Sequence, residues 1–253
     1  MSVMKISYVD TVTAKILFFS AVSIVAIPYY FIAGGTLLGF IFVRLIAMFF
    51  GICSQIAWHR WLTHNSFVPS PLGRFLMFFG MLTTGIGKPL HLVVSHIYHH
   101  KNPDTETDPH SPKYIGYGKL WLGRYKKLDS GLVVPKSFFR DKQIVFFNKY
   151  YWWMFWSIIF VFCMIDLKTA LIFTPVTVIY NWSLVNMVNY FGHKDGNNIG
   201  PRNVENKIFL FLTGGEALHK NHHEQPGNFN LGFNGEFDLG AIIISKILIR
   251  HNS

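Results

Sequence analysis

Between Ile16 and Val43 the sequence carries no charged side chain, and after Arg44 a second uncharged run continues to His59. One helical crossing of a bilayer takes about 20 apolar residues, so this stretch is too long for one span and long enough for two. Gly34-Gly35 is the natural break, which sets spans near residues 14–33 and 36–57. A second apolar block runs from Tyr150 to about His193, interrupted only by Asp166 and Lys168. It reads as a hairpin of spans near 149–165 and 169–190. Its opening cluster, Tyr150, Tyr151, Trp152, Trp153 and Trp156, matches the aromatic belts found where helices meet the membrane–water interface. A pair of buried soluble helices is the alternative, and uncharged runs of this length argue against it. Composition points the same way: 14% of residues are charged, against about 25% in an ordinary soluble protein.

The net charge of +10 does not indicate nucleic acid, because the basic residues flank apolar blocks instead of clustering on a polar scaffold. They report topology. With four spans, the N-terminus, residues 58–148 and residues 191–253 share one side, and of the 23 Lys and Arg only Arg44 and Lys168 fall elsewhere. The positive-inside rule makes that side cytoplasmic. The segment from Ser70 to Val94 is moderately apolar but holds Arg74 and Lys88, so it is expected to form helices lying at or dipping into the interface. Cys53 and Cys163 sit in apolar stretches with no CxxC, which predicts no disulfide framework. No cleavable signal peptide is expected from the first residues. The expected architecture is one all-α integral membrane domain: four transmembrane helices in two hairpins, multi-pass, with both termini and a helical cap on the cytoplasmic face.

Twelve histidines are present, and three groups stand out: His59-Arg-Trp-Leu-Thr-His64, His96-Ile-Tyr-His99-His100 and His219-Lys-Asn-His222-His223. On an α-helix the positions i, i+3 and i+4 share a face, so each HxxHH points three imidazoles one way. Pro89 suits the first turn of the helix bearing the second group. Gly214-Gly215 and Pro226-Gly227 bracket the helix bearing the third. The gap of five in the first group spreads its rings by about 140° on an ideal helix, which places it where the second span leaves the membrane. A given HxxHH arises by chance in roughly one such chain in forty, and two together on the order of once in a thousand or more, so the pattern is specific.

His193 ends the fourth span, with Asn189 one turn before it. That amide either holds a water at a metal or satisfies neighbouring backbone. His91, His110 and His251 read as structural or exposed residues. Eight or nine imidazoles are too many for one ion, so two are implied. Nitrogen ligation suits iron, zinc or copper, and a site beside lipid chains with no hydrolysable bond favours redox chemistry with O2, hence iron. Asp104, Glu106, Asp108 and Glu216 are placed to accept the second ring N–H of ligating histidines, although Glu106 reads equally well as a solvated loop charge. Glu216 and His219 form a single ExxH, whereas carboxylate di-iron bundles carry two.

These three boxes, with four spans in two hairpins, resemble the membrane fatty acid desaturases, most closely the stearoyl-CoA-type Δ9 branch and its short bacterial members. The Thr107-Asp-Pro-His-Ser-Pro112 ending, Gly214-Gly215-Glu216 leading into His219, and Asn189 four before His193 carry the resemblance, which covers roughly residues 36–245. The resemblance implies two irons held by His59, His64, His96, His99, His100, His193, His219, His222 and His223, with Asn189 acting through water. It assigns His59, His64, His96, His99 and His222 to one ion and His100, His193, His219 and His223 to the other. It implies O2 as co-substrate and electrons from a small donor of ferredoxin or cytochrome type. The implied substrate is a fatty acyl chain, carried as acyl-CoA, on acyl-carrier protein or in a lipid, that gains a cis double bond, with Δ9 expected. No catalytic residue beyond the ligands is implied. Lys119, Arg124, Lys126 and Lys127 are placed either to grip a phosphorylated head group or to set topology. The chain departs from the family pattern at Ile97, where an Arg usually stands, and no HPGG of a fused haem-binding donor occurs. A lipid hydroxylase, ketolase or alkane monooxygenase on the same scaffold is the nearest alternative, and a non-catalytic metal-binding membrane sensor is the alternative from another class.

Overall fold

The computed structural model describes residues 9–125 and 136–249; Lys126, Lys127 and His251 lie outside them. The described residues are mostly helical, with one two-stranded ribbon among them, β1 (Lys194–Asp195) and β2 (Asn198–Ile199). Helix α1 (Val9–Ile32) ends at Gly34, whose φ of +81° reverses the chain. The Thr36 hydroxyl then accepts from Gly39 N and starts α2 (Leu37–Gln55). The same axis continues through a π-helical segment, Ile56–Thr63. The break between the first two helices therefore falls where the glycine pair placed it.

Helix α3 (Pro71–Thr84) is capped by Ser70 and ends at the left-handed Gly85, and α4 (Pro89–Lys101) begins at its proline. The two are bent by 90° across that break. The segment Ser70–Val94, expected at or dipping into the interface, thus falls on a sharply bent helix pair. Lys15, on α1, donates to Gly85 O at 2.8 Å, a cation at the negative end of α3. Short helices α5 (Pro112–Ile115), α6 (Tyr117–Trp121) and α7 (Lys136–Arg140) lead to α8 (Lys142–Ile165) and α9 (Leu167–His193), which are joined through Asp166. Asp141 caps α8 and also takes the Arg74 guanidinium, which ties α8 to α3. Beyond the ribbon come α10 (Lys207–Leu212), α11 (His219–Glu224) and α12 (Leu239–Ile243), the last running into a second π segment, Ile244–Leu248.

Among the described residues three helical stretches, Val12–Ile32, Leu37–Thr63 and Leu167–His193, are long and apolar enough to cross a membrane, and the bent α3–α4 pair makes a fourth if it is one broken span. Helix α8 has the length, at 24 residues, but is not among them. Its tyrosines and tryptophans, expected as an interfacial belt, lower its apolarity. Ile24, Ile32, Leu38 and Ile165 are each more than 70% exposed, an outward face that suits lipid and not water. Helix α1 packs chiefly on α9, and α2 on α3. Between them Ile52, Ile56, Met77, Met81, Tyr151, Phe155 and Val178 form the buried centre. The charge inside the second span is answered internally: Arg44 donates to Ile172 O at 3.0 Å and Thr177 Oγ1 at 2.8 Å on α9.

Candidate metal centre

Nine histidines from four places in the chain converge into two groups. His59, His64, His96, His100 and His222 form one, and His99, His193, His219 and His223 the other; within each group one ligand atom per ring lies within 4.8 Å of the rest. The π segment explains the first box. Its i→i+5 hydrogen bond, His64 N to His59 O, stacks residues five apart, where an α-helix would have spread them. Helix α4 explains the second box. His96 and His100, four apart, lie one above the other and join the first group, while His99, about 100° round the helix from His100, reaches the second. The division implied by the family resemblance is corrected here: His100 joins the first group and His99 the second. The third box sits on α11, whose entry is fixed by Gly214 (φ +62°) and Gly215 (φ +91°).

Three rings are oriented by carboxylates. His59 Nδ1 donates to Glu216, His99 Nδ1 to Asp108 at 2.9 Å, and His193 Nδ1 to Asp104 at 2.8 Å. Asp104, Asp108 and Glu216 therefore take the role expected of them, while Glu106 is exposed. A neutral imidazole that donates from Nδ1 presents a lone pair at Nε2. Yet the Nε2 atoms crowd together: His59–His222 at 2.9 Å, His100–His222 at 2.8 Å, His193–His219 at 2.8 Å and His99–His223 at 3.3 Å. Metal–nitrogen bonds of about 2.1 Å place neighbouring ligand nitrogens about 3 Å apart, which is this spacing. His64 Nε2 is buried with no hydrogen-bond partner. Converging lone pairs, an orphaned buried nitrogen and carboxylates on the far side of the rings all fit a cation in each group.

Electrostatics keeps the rings in the ligating form. Burial, with neighbouring rings adding to it, pushes His64 and His223 down to about 2 from the ordinary 6.5. Burial takes His110 to about 4, and His219 and His222 also fall well below 6.5. Burial alone would raise Glu216, but Arg60 and His59 outweigh it and hold the carboxyl at about 2. A ring neutral when folded and protonated when unfolded costs nothing above pH 6.5. Below that it destabilises by about 1.4 kcal/mol per ring per pH unit, over a window ending near 4 for His110 and near 2 for His64 and His223. Those three rings alone remove about 4 kcal/mol per unit, against a total of roughly 5–15. Metal-free protein in detergent with chelator is therefore expected to unfold within about two pH units below 6.5, as read by circular dichroism. An unchanged signal at pH 4 would contradict this.

An apolar cavity opens beside the rings. Met48 and Gly51 of α2 and Val185 and Val188 of α9 form part of its wall, and His59, His96 and His219 face it. Met48 precedes His59 by eleven residues, about 16 Å along a helix, so the cavity reaches well into the apolar layer. Asn189 lines it too. Two residues carry more than their sequence suggested. His110, read as structural or exposed, is buried, stacks on His99 at 4.5 Å and lines the cavity. Its motif was visible, but the flanking prolines made the segment look like a solvated loop. Arg60 is 1% exposed and uses all five of its donors. An arginine within the first histidine box, at the end of a long apolar stretch, is the signal the sequence offers. His91 stands outside both groups.

The fold and these groups define a helical membrane-type protein with a paired histidine centre beside an apolar cavity. Comparison with known proteins places it further. The fatty acid desaturase family model matches residues 16–228. The chain belongs to the fatty acid desaturase family. It is 30% identical over 191 residues to the acyl-CoA C20 Delta5-desaturase of Anemone leveillei, covering 67% of this chain and 57% of that protein. It is 26% identical to Delta-9 acyl-lipid desaturase 2 of Arabidopsis thaliana, over 78% of this chain and 66% of the relative. With the sn-1 stearoyl-lipid 9-desaturase of Anabaena variabilis it shares 28% identity, over 68% and 66%. The chain spans a little over half the length of the first of these relatives.

Proposed function

We propose that this protein is an O2-dependent di-iron acyl desaturase that introduces a cis double bond, with Δ9 the expected position, into a fatty acyl chain. The convergence of nine imidazoles into two groups at the mouth of an apolar cavity carries this reading, and family membership supports it. His59, His64, His96, His100 and His222 would hold one iron and His99, His193, His219 and His223 the other, with Asn189 acting through a water. Asn189 lines the cavity beside the rings. Two irons bound there would supply the O2-activating redox chemistry needed to remove two hydrogens from unactivated methylenes.

The chain's own residues do the rest. The cavity walls bind the hydrocarbon by removing it from water, worth about 0.8 kcal/mol per buried methylene, and hold it against the rings so that only certain carbons are in reach. Glu216, Asp104 and Asp108 fix ring orientation. The catalytic face and both termini are assigned to the cytoplasm by the distribution of Lys and Arg, with four spans in two hairpins. A ferredoxin or cytochrome-type donor would supply the electrons from that side. Lys119, Arg124 and the basic residues after them either grip a phosphorylated head group of an acyl-CoA, acyl-carrier protein or lipid, or set topology.

The test is expression in a host lacking its own desaturase, followed by fatty acid methyl ester analysis. The expected product is lighter than its parent by two hydrogens. A product heavier by one oxygen would assign a hydroxylase to the same scaffold. Unchanged lipids with an intact donor system would contradict the proposal.

A further inference from the structure

The two histidine groups are wired to different parts of the chain. In the four-histidine group, His193 and His99 rest on Asp104 and Asp108. Those carboxylates are held locally, Asp104 by the Ser111 hydroxyl at 3.1 Å and Asp108 by Asp104 N at 2.9 Å and His110 N at 3.0 Å. In the five-histidine group the one carboxylate partner among the described residues is Glu216, and it is held from far along the chain. Its Oε1 accepts from Arg60 Nε at 2.8 Å while its other oxygen takes His59 Nδ1.

Arg60 in turn makes a bidentate pair with Asp238, Nη1 to Oδ2 at 2.8 Å and Nη2 to Oδ1 at 3.2 Å. It also donates to Phe229 O at 2.7 Å and Gly214 O at 3.1 Å. Five N–H groups meet five acceptors, so the guanidinium has one orientation available. The Asp238 side chain is 1% exposed and also accepts from Leu231 N and Ala241 N, which fixes it to the 229–241 segment.

We propose that the Arg60–Asp238 pair is a positioning device for one metal only: acting through Glu216 on His59, it makes occupancy of the five-histidine group depend on the 229–241 segment, while the four-histidine group depends on residues 104–111. Neither residue touches the ion. The inference rests on the two-ion reading of the site. Carboxylates that orient metal-bound histidines are worth about 10–100-fold in metal affinity, and a Glu216 without its arginine loses the fork that aims it.

The full chain, purified in detergent, is loaded with iron(II), dialysed against a chelator, and analysed for iron per chain and by Mössbauer spectroscopy. Wild type is expected to retain two irons. Asp238→Asn, whose single oxygen can accept from only one of Leu231 N and Ala241 N and from one arm of Arg60, is expected to bind iron about 10–100-fold more weakly at one group and to retain one iron. Asp104→Asn, the mirror variant, is expected to lose the other, so the two variants show different Mössbauer doublets. Arg60→Lys, which keeps the charge without the planar fork, is expected to behave as Asp238→Asn. The metal-free melting temperature of Asp238→Asn should fall, because one buried backbone N–H and one arm of the Arg60 pair lose their acceptor, with the variant still folded. Retention of two irons in both Asp238→Asn and Arg60→Lys overturns the inference. So does loss of both irons together, or failure of both variants to fold, because selectivity between the groups is the claim. A wild-type chain that never binds two ions overturns the reading of the site itself, a different result from any of these.

Discussion

His222→Ala is expected to abolish product formation while leaving the protein folded. His222 stands at the centre of the five-histidine group, its Nε2 at 2.8 Å from that of His100, 2.9 Å from His59 and 3.4 Å from His96. No other ring in the group approaches three partners this closely by the same atom. If substitution of a carboxylate behind a ligand costs 10–100-fold, removal of the ligand itself should exceed the upper figure, so activity should fall by more than about 100-fold. The fold should survive because the ring packs against other imidazoles and not in the apolar centre formed by residues such as Met77 and Phe155. Lipid profiles of cells expressing wild type and His222→Ala side by side give the first reading, and the melting temperature of the metal-free proteins gives the second. Substantial unsaturated product from the variant would contradict the central place given to this ring.

Gly80→Leu is expected to prevent folding, with no ligand touched. Even a Cβ at Gly80 would stand 2.4 Å from Phe50 O and 3.0 Å from Ser54 N. Those are backbone atoms of α2, which cannot swing aside as a side chain would. Overpacking a close helix contact costs about 1–3 kcal/mol when neighbours can adjust, and more when they cannot. Separating α2 from α3 would also disturb the π segment that brings His59 and His64 together, because it continues α2 directly. Yield of monodisperse protein in detergent is the measure. A Gly80→Leu variant that is produced and melts like wild type would show that the α2–α3 contact is looser than described here.

These two cases mark what was legible in the sequence and what was not. Uncharged length and a glycine pair located α1 and α2 closely, because span length is set by bilayer thickness and not by partners. HxxHH named the rings of α4 and α11, because helical periodicity is local. Two features needed the folded backbone. The first box looked splayed on an α-helix, and only the π segment restores its geometry; nothing in His59-Arg-Trp-Leu-Thr-His64 specifies a wider turn. The division of His99 and His100 between groups depends on how α4 is rotated against α2 and α11, a tertiary fact. Gly80 and Asp238 were likewise silent, one mattering for the backbone it lets near and the other for an arginine 178 residues away. Helix α8 shows the converse. The tyrosines and tryptophans read from the sequence as an interfacial belt leave it below the apolarity of the other long helices.

Elemental analysis of the purified, iron-loaded chain bears most directly on the whole account. Two irons per chain, lost together with O2 uptake when the protein is stripped by chelator in the presence of acyl substrate and reductant, is the predicted result. One ion or none per chain would contradict it, as would two tightly held ions with no O2 uptake on any lipid, which would favour a metal-binding sensor built on the same helices.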